Sequence, residues 1–130
     1  MTPRSDYHSI TPRIFVDDVA AQVEFFRRTF DATGDVNALG PTELRIGDSL
    51  IMVSGASERA AFAAFLYVYV DDADSTYERA LRAGAGSLEE PLDTPYGDRR
   101  AMVRDPFGNV LQIAHPLGGP SAVTPPDRAQ

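Results

Sequence analysis

The sequence contains no cysteine, no tryptophan and no lysine, and the missing cysteine and lysine each close off a chemistry. Without cysteine there is no disulfide framework, no thiolate metal site and no sulfur nucleophile. Without lysine there is no Schiff-base amine and no P-loop lysine, and all 12 basic side chains are arginines. Those 12 face 19 acidic residues, a net charge of -7. Gripping a phosphate backbone needs the opposite field, so nucleic acid is not expected as a partner. No apolar run approaches the ~20 residues of a membrane span. The opening Met1-Thr2-Pro3-Arg4-Ser5-Asp6 also lacks the apolar stretch of a leader, so a soluble cytoplasmic protein without a membrane partner is expected.

What is present is an ordinary apolar share, 43% of 130 residues, enough for one domain that buries about two-thirds of its unfolded surface. Within it lies an internal repeat. Ile14-Phe15-Val16-Asp17-Asp18-Val19 reads like Val68-Tyr69-Val70-Asp71-Asp72-Ala73, in each case a β-rich run that ends in a double aspartate. A helical stretch follows each, Ala20 to Phe30 and Asp74 to Ala83. In the first, Val19, Val23, Phe26 and Phe30 recur at steps of three and four, as one apolar face of a helix requires. The aspartates are expected to cap the first-turn N–H groups, and Gly34 and Gly84 to stop the helices.

Short strands should follow: Asp35–Leu39, Glu43–Ile46 and Ser49–Ser54 in the first copy, and Ser87–Leu92, Arg99–Arg104 and Val110–His115 in the second. Each copy is then a β-α-β-β-β module, and the fold class is α+β with a pseudo-two-fold internal repeat. The expected boundaries are a lead-in over 1–9, modules over 10–55 and 64–116, a small polar linker over 56–63, and a proline-rich flexible tail over 117–130.

Paired βαβββ modules, V-x-D-D at the opening of each and Asp105-Pro106-Phe107-Gly108-Asn109 before the last strand resemble the vicinal oxygen chelate superfamily of glyoxalases, bleomycin-resistance proteins and extradiol dioxygenases. With Pro95-Tyr96-Gly97-Asp98-Arg99-Arg100 added, the chain looks most like the small PhnB-like and bleomycin-resistance-like members. The resemblance implies curled mixed sheets that form a cleft. In the metal enzymes of the family it also implies four ligands, one from the first and last strand of each module. Those positions fall here on Thr11, Met52, Phe65 and Gln112. Divalent ions need imidazole or carboxylate donors, which this set does not supply, so no metal and no other cofactor is expected. His8 and His115 lie an odd number of residues from their nearest ligand positions, so strand alternation turns them the other way.

The same alternation assigns the ligand-facing side chains: Arg13, Phe15, Met52, Phe65, Tyr67, Tyr69, Arg100, Met102 and Gln112. Aromatic rings and thioethers suit a planar apolar molecule, Arg and Gln could orient its polar groups, and tyrosine hydroxyls would stay available to ligand or water. Asp98 and Arg99 read as a turn and an ion pair. The resemblance, with the metal ligands missing, implies a non-catalytic homodimer that sequesters a hydrophobic aromatic molecule such as an antibiotic. A metal-dependent lyase, isomerase or dioxygenase of the same superfamily is the alternative, and a structural or regulatory dimer with a filled cleft a third.

Overall fold

The computed structural model describes residues 8–56 and 60–118. Most of the expected lead-in, residues 57–59 of the expected linker and the tail beyond 118 lie outside the described residues. The chain divides into two compact units, Met1–Ala64 and Phe65–Gln130.

The first unit runs β1 (Arg13–Val16), α1 (Val19–Phe30), β2 (Thr42–Ile46) and β3 (Ser49–Gly55). Its sheet has the order β1-β3-β2, with β1 parallel to β3 and β2 antiparallel to it. A strand that returns parallel to the first needs a crossover, and α1 supplies it. Ile14, Val16, Leu44, Ile51 and Val53 are buried, as are Val23, Phe26 and Phe30 of α1. Strand alternation and helical spacing thus meet in one core.

Two expectations fail in this unit. No strand forms over Asp35–Leu39; Thr33 makes only an isolated bridge to Arg45. The chain there is diverted into a loop. Gly34 has φ +134, and a Cβ on it would lie 2.3 Å from the Glu43 carbonyl oxygen, so the backbone packs against β2 where only glycine fits. Beyond it, Asn37 Oδ1 accepts from Leu39 N at 3.0 Å, and Asn37 N donates to Thr42 Oγ1 at 2.9 Å. These local bonds draw the backbone away from a ladder. Gly34 is also not the helix stop: Asp31 closes α1 in the left-handed region with φ 56, its N–H bonding to Arg27 O at 3.0 Å.

The second unit forms the full βαβββ pattern: β4 (Phe65–Tyr69), α2 (Ala73–Arg82), β5 (Gly86–Asp93), β6 (Asp98–Arg104) and β7 (Val110–Pro116). Its sheet has the order β4-β7-β6-β5, with β4 parallel to β7 and the remaining pairs antiparallel. Ala101, Val103, Leu111 and Ile113 are buried with Ala73, Tyr77 and Ala80 of α2. Of each aspartate pair only the second caps: Asp18 accepts from Ala21 N, and Asp72 from Asp74 N and Ser75 N. Asp17 and Asp71 are exposed and precede the caps, too far from the first-turn amides.

The D-P-F-G-N segment is a self-bonded turn between β6 and β7. Asp105 Oδ1 accepts from Phe107 N and Asn109 N, each at 2.9 Å, while Oδ2 takes the Asn109 amide at 2.9 Å. Gly108 supplies the required positive φ of 95. Its role is to aim β7.

Candidate functional site

In the second unit, register places six of the expected residues on one face of the sheet. Tyr67 pairs with Gln112 and Gln112 with Met102; Tyr69 pairs with Ala114 and Ala114 with Arg100; Phe65 pairs with Val110 at the end of the strand. The alternate residues Leu111, Ile113, Ala101 and Val103 pack toward the core with α2, leaving this face outward. Phe65 is 64% exposed, Tyr67 37% and Tyr69 43%, unusually open for three consecutive same-face aromatics. The Tyr67 and Tyr69 ring centroids stand 5.3 Å apart with planes inclined at 58°.

The hydroxyl protons are already engaged within the protein. Tyr67 Oη and Tyr69 Oη both donate to Asp98 Oδ2 at 2.7 Å, and Tyr67 Oη also lies 3.1 Å from Tyr96 Oη. Asp98 is therefore neither a surface turn residue nor the partner of Arg99. It opens β6 and is only 1% exposed. The turn before it fixes its place: Thr94 N and Oγ1 both donate to Asp98 O at 2.8 Å, and Asp98 N donates to Thr94 Oγ1 at 3.0 Å. Burial, then the bonds to Tyr96 and Asp98, push the Tyr67 phenol well above the usual tyrosine range. The shift favours the protonated phenol, the form that donates to Asp98.

Arg100 is likewise committed. Its Nη2 reaches Glu89 Oε1 at 2.6 Å, its Nε reaches the same oxygen at 3.2 Å, and its Nη1 donates to Tyr96 Oη at 3.0 Å. The Glu89 carboxylate foremost holds this guanidinium above its ordinary pKa. Arg100 thus braces the tyrosine network through Tyr96. Gln112 differs, half-buried between Tyr67 and Met102 with no hydrogen bond from its amide to any described residue. Sequence reasoning missed Asp98, Tyr96 and Glu89. The Y-G-D-R segment was the available signal, but only the pairing of β6 with β7, and of β7 with β4, carries Asp98 to the tyrosines.

On the other face, Arg99 bonds Asp74 Oδ1 at 2.6 Å and Asp93 Oδ1 at 2.9 Å, which ties α2 to the sheet. His115 Nδ1 accepts from Ala73 N at 2.7 Å on that helical side.

The remaining expected residues belong to the first unit. Arg13 pairs with Met52 and Phe15 with Ser54, so Arg13, Phe15 and Met52 share one face. Arg13 Nε donates to Ser54 Oγ at 3.0 Å, and its guanidinium carbon lies 5.0 Å from the Phe15 ring centroid. Thr11 precedes β1.

Thr11, Met52, Phe65 and Gln112, the positions that the resemblance assigns to metal ligands, offer no imidazole or carboxylate. Phe65 has no lone pair, Met52 offers a thioether, and Gln112 and Thr11 offer only neutral oxygens. Among the described residues, no group of three or more His, Cys, Asp or Glu could hold a metal. No described helix is long and apolar enough to cross a membrane.

Comparison with known proteins bears on this arrangement. A family model described as the Glyoxalase/Bleomycin resistance protein/Dioxygenase superfamily matches residues 7–113. An uncharacterized protein of Mycobacterium bovis is 27% identical over 127 residues, covering 84% of each chain. Among solved structures, TioX from Micromonospora sp. ML1 superposes with a TM-score of 0.72 at 23% identity, over 85% of this chain and 99% of that one. A glyoxalase/bleomycin resistance protein/dioxygenase family enzyme from Burkholderia phytofirmans PsJN gives 0.70 at 25%, over 81% and 95%.

Proposed function

The chain belongs to the glyoxalase/bleomycin resistance protein/dioxygenase superfamily, and within it we propose a metal-free, non-catalytic protein that sequesters a hydrophobic aromatic small molecule, such as an antibiotic or another natural product. The observation that carries this reading is the open row of Phe65, Tyr67 and Tyr69, whose tyrosine hydroxyls are tied back to Asp98. Tethering the polar ends leaves apolar ring surface as the offered contact and fixes its orientation before any ligand arrives. Less side-chain entropy is then lost on binding. Each well-placed ring stack contributes about 0.5–1.5 kcal/mol beyond area burial. Gln112 supplies a polar group on the same face, and Met102 a polarizable surface that adapts to ring shape. Phe15, Met52 and Arg13 form the corresponding face of the first unit. The protein acts as a homodimer, and resistance to the bound compound is the physiological outcome.

The test is a thermal-shift and calorimetric screen of the full chain with planar aromatic antibiotics such as anthracyclines, tetracyclines and fluoroquinolones. Saturable stabilisation is expected, together with its loss in Tyr67→Ala and Phe65→Ala at concentrations where both remain folded. A parallel titration with Mn, Fe, Ni and Zn should show no stoichiometric site. One tight metal site would instead establish the metal-dependent lyase, isomerase or dioxygenase reading. Sedimentation equilibrium reports the dimer.

A further inference from the structure

The first unit holds a hollow of about 540 Å³, bounded by Arg13 and Ser54 on one side and by the loop from Val36 to Pro41 on the other. Three observations define its chemistry. Among the described residues, Arg13 is the sole charged one that lines it. Its Nε is bound to Ser54 Oγ and its guanidinium carbon lies 5.0 Å from the Phe15 ring centroid, two contacts that restrain the group, yet no described residue bonds either Nη group or pairs its charge. In a chain of net charge -7, an oriented guanidinium with no carboxylate among the described residues is out of keeping with its surroundings. Finally, the loop across from it carries two exposed aliphatic side chains among its polar groups: Leu39 is 97% exposed and Val36 is also exposed, while Asn37 and Thr42 pin the loop that presents them.

We propose that this hollow is a binding subsite for a small organic acid, with Arg13 receiving the carboxylate and Val36 and Leu39 covering an apolar body. A planar carboxylate matches the two Nη groups as a bidentate pair, and the aliphatic side chains lose their exposure when the body seats against them. The assignment rests on the small-molecule reading above only in taking Arg13 as ligand-facing. It does not depend on what the second unit's aromatic face holds.

The experiment is an NMR titration of the full chain with three probes: naphthalene-1-acetate, the neutral naphthalene-1-acetamide, and acetate. Saturable shifts are expected at Asn37, Leu39, Ser54 and the Arg13 Nε–H with naphthalene-1-acetate, with the other two probes at least about tenfold weaker. Arg13→Gln should abolish the preference for acid over amide. Leu39→Ser should weaken the acid while keeping that preference. Both side chains are exposed, and should Arg13→Gln disturb β1, the wild-type comparison and Leu39→Ser still decide. Equal affinity for acid and amide, absence of saturation at millimolar probe, or shifts confined to the second unit would overturn the subsite. The last result leaves the aromatic-face reading standing. Loss of antibiotic binding in Tyr67→Ala with naphthalene-1-acetate unaffected marks the two as separate.

Discussion

The Tyr67 hydroxyl donates to Asp98 Oδ2 across 2.7 Å, joining the fourth strand to the start of the sixth although β7 lies between them. Tyr69 adds a second bond to the same oxygen. Removing the acceptor should therefore cost more than removing one donor. Asp98→Ala is expected to destabilise by about 2–3 kcal/mol and Tyr67→Phe by about 1 kcal/mol, with Asp98→Asn between them because its amide oxygen still accepts. Urea unfolding curves for the three variants check the order. An Asp98→Ala variant as stable as Tyr67→Phe would contradict it.

Alkaline pH should reveal the same network. Tyr67 has its pKa raised above 10.0, so the folded state holds a proton that the unfolded chain releases. The contribution is complete below 10.0 and declines as pH climbs toward the higher folded value. Absorbance titration of phenolate should show one tyrosine failing to ionise until the protein unfolds. Tyr67→Phe should flatten the fall in stability above pH 10.

Acid pH acts on the opposite face. The bond from Arg99 chiefly holds Asp74 below its usual 3.8. Ionised Asp74 is thus favoured by folding, so its contribution is full above 3.8 and is lost as pH falls through the lower folded value. The effect is small because both side chains are substantially solvated. Asp74→Asn should lower the melting temperature slightly at neutral pH, and the gap from the parent protein should close in acid.

The turn before β7 should be among the least tolerant positions. Asp105 accepts three hydrogen bonds and is buried with Asn109, so Asp105→Ala orphans two backbone N–H groups and an amide. A loss of about 2–4 kcal/mol is expected by chemical denaturation. Binding of any ligand by the folded fraction should be unaffected, since the turn positions β7 and does not face the aromatic row.

Much of this architecture was legible from periodicity. Val23, Phe26 and Phe30 announced α1, and the alternation through Phe65, Tyr67 and Tyr69 placed them on one face because strand and helix repeats are local properties of the chain. The segment 35–39 was not legible. Its short apolar–polar pattern fits a strand, and the deciding fact is how closely Gly34 packs on β2, where a Cβ would lie 2.3 Å from the Glu43 carbonyl oxygen. The roles of Arg99 and Arg100 were equally hidden. Adjacent in sequence, they point to opposite faces, one to Asp74 on α2 and the other to Glu89 on β5.

The sequence by itself determined what the protein lacks and how it is patterned. Without cysteine or lysine, thiolate, disulfide and Schiff-base chemistries were closed before any fold was drawn. Only the tertiary structure decided what the remaining polar groups do. It spends the hydroxyls of Tyr67 and Tyr69 on Asp98 and the guanidinium of Arg100 on Glu89, while leaving the Nη groups of Arg13 without a described partner. Hydrogen bonds between residues some thirty positions apart depend on register and strand order, which no local pattern encodes.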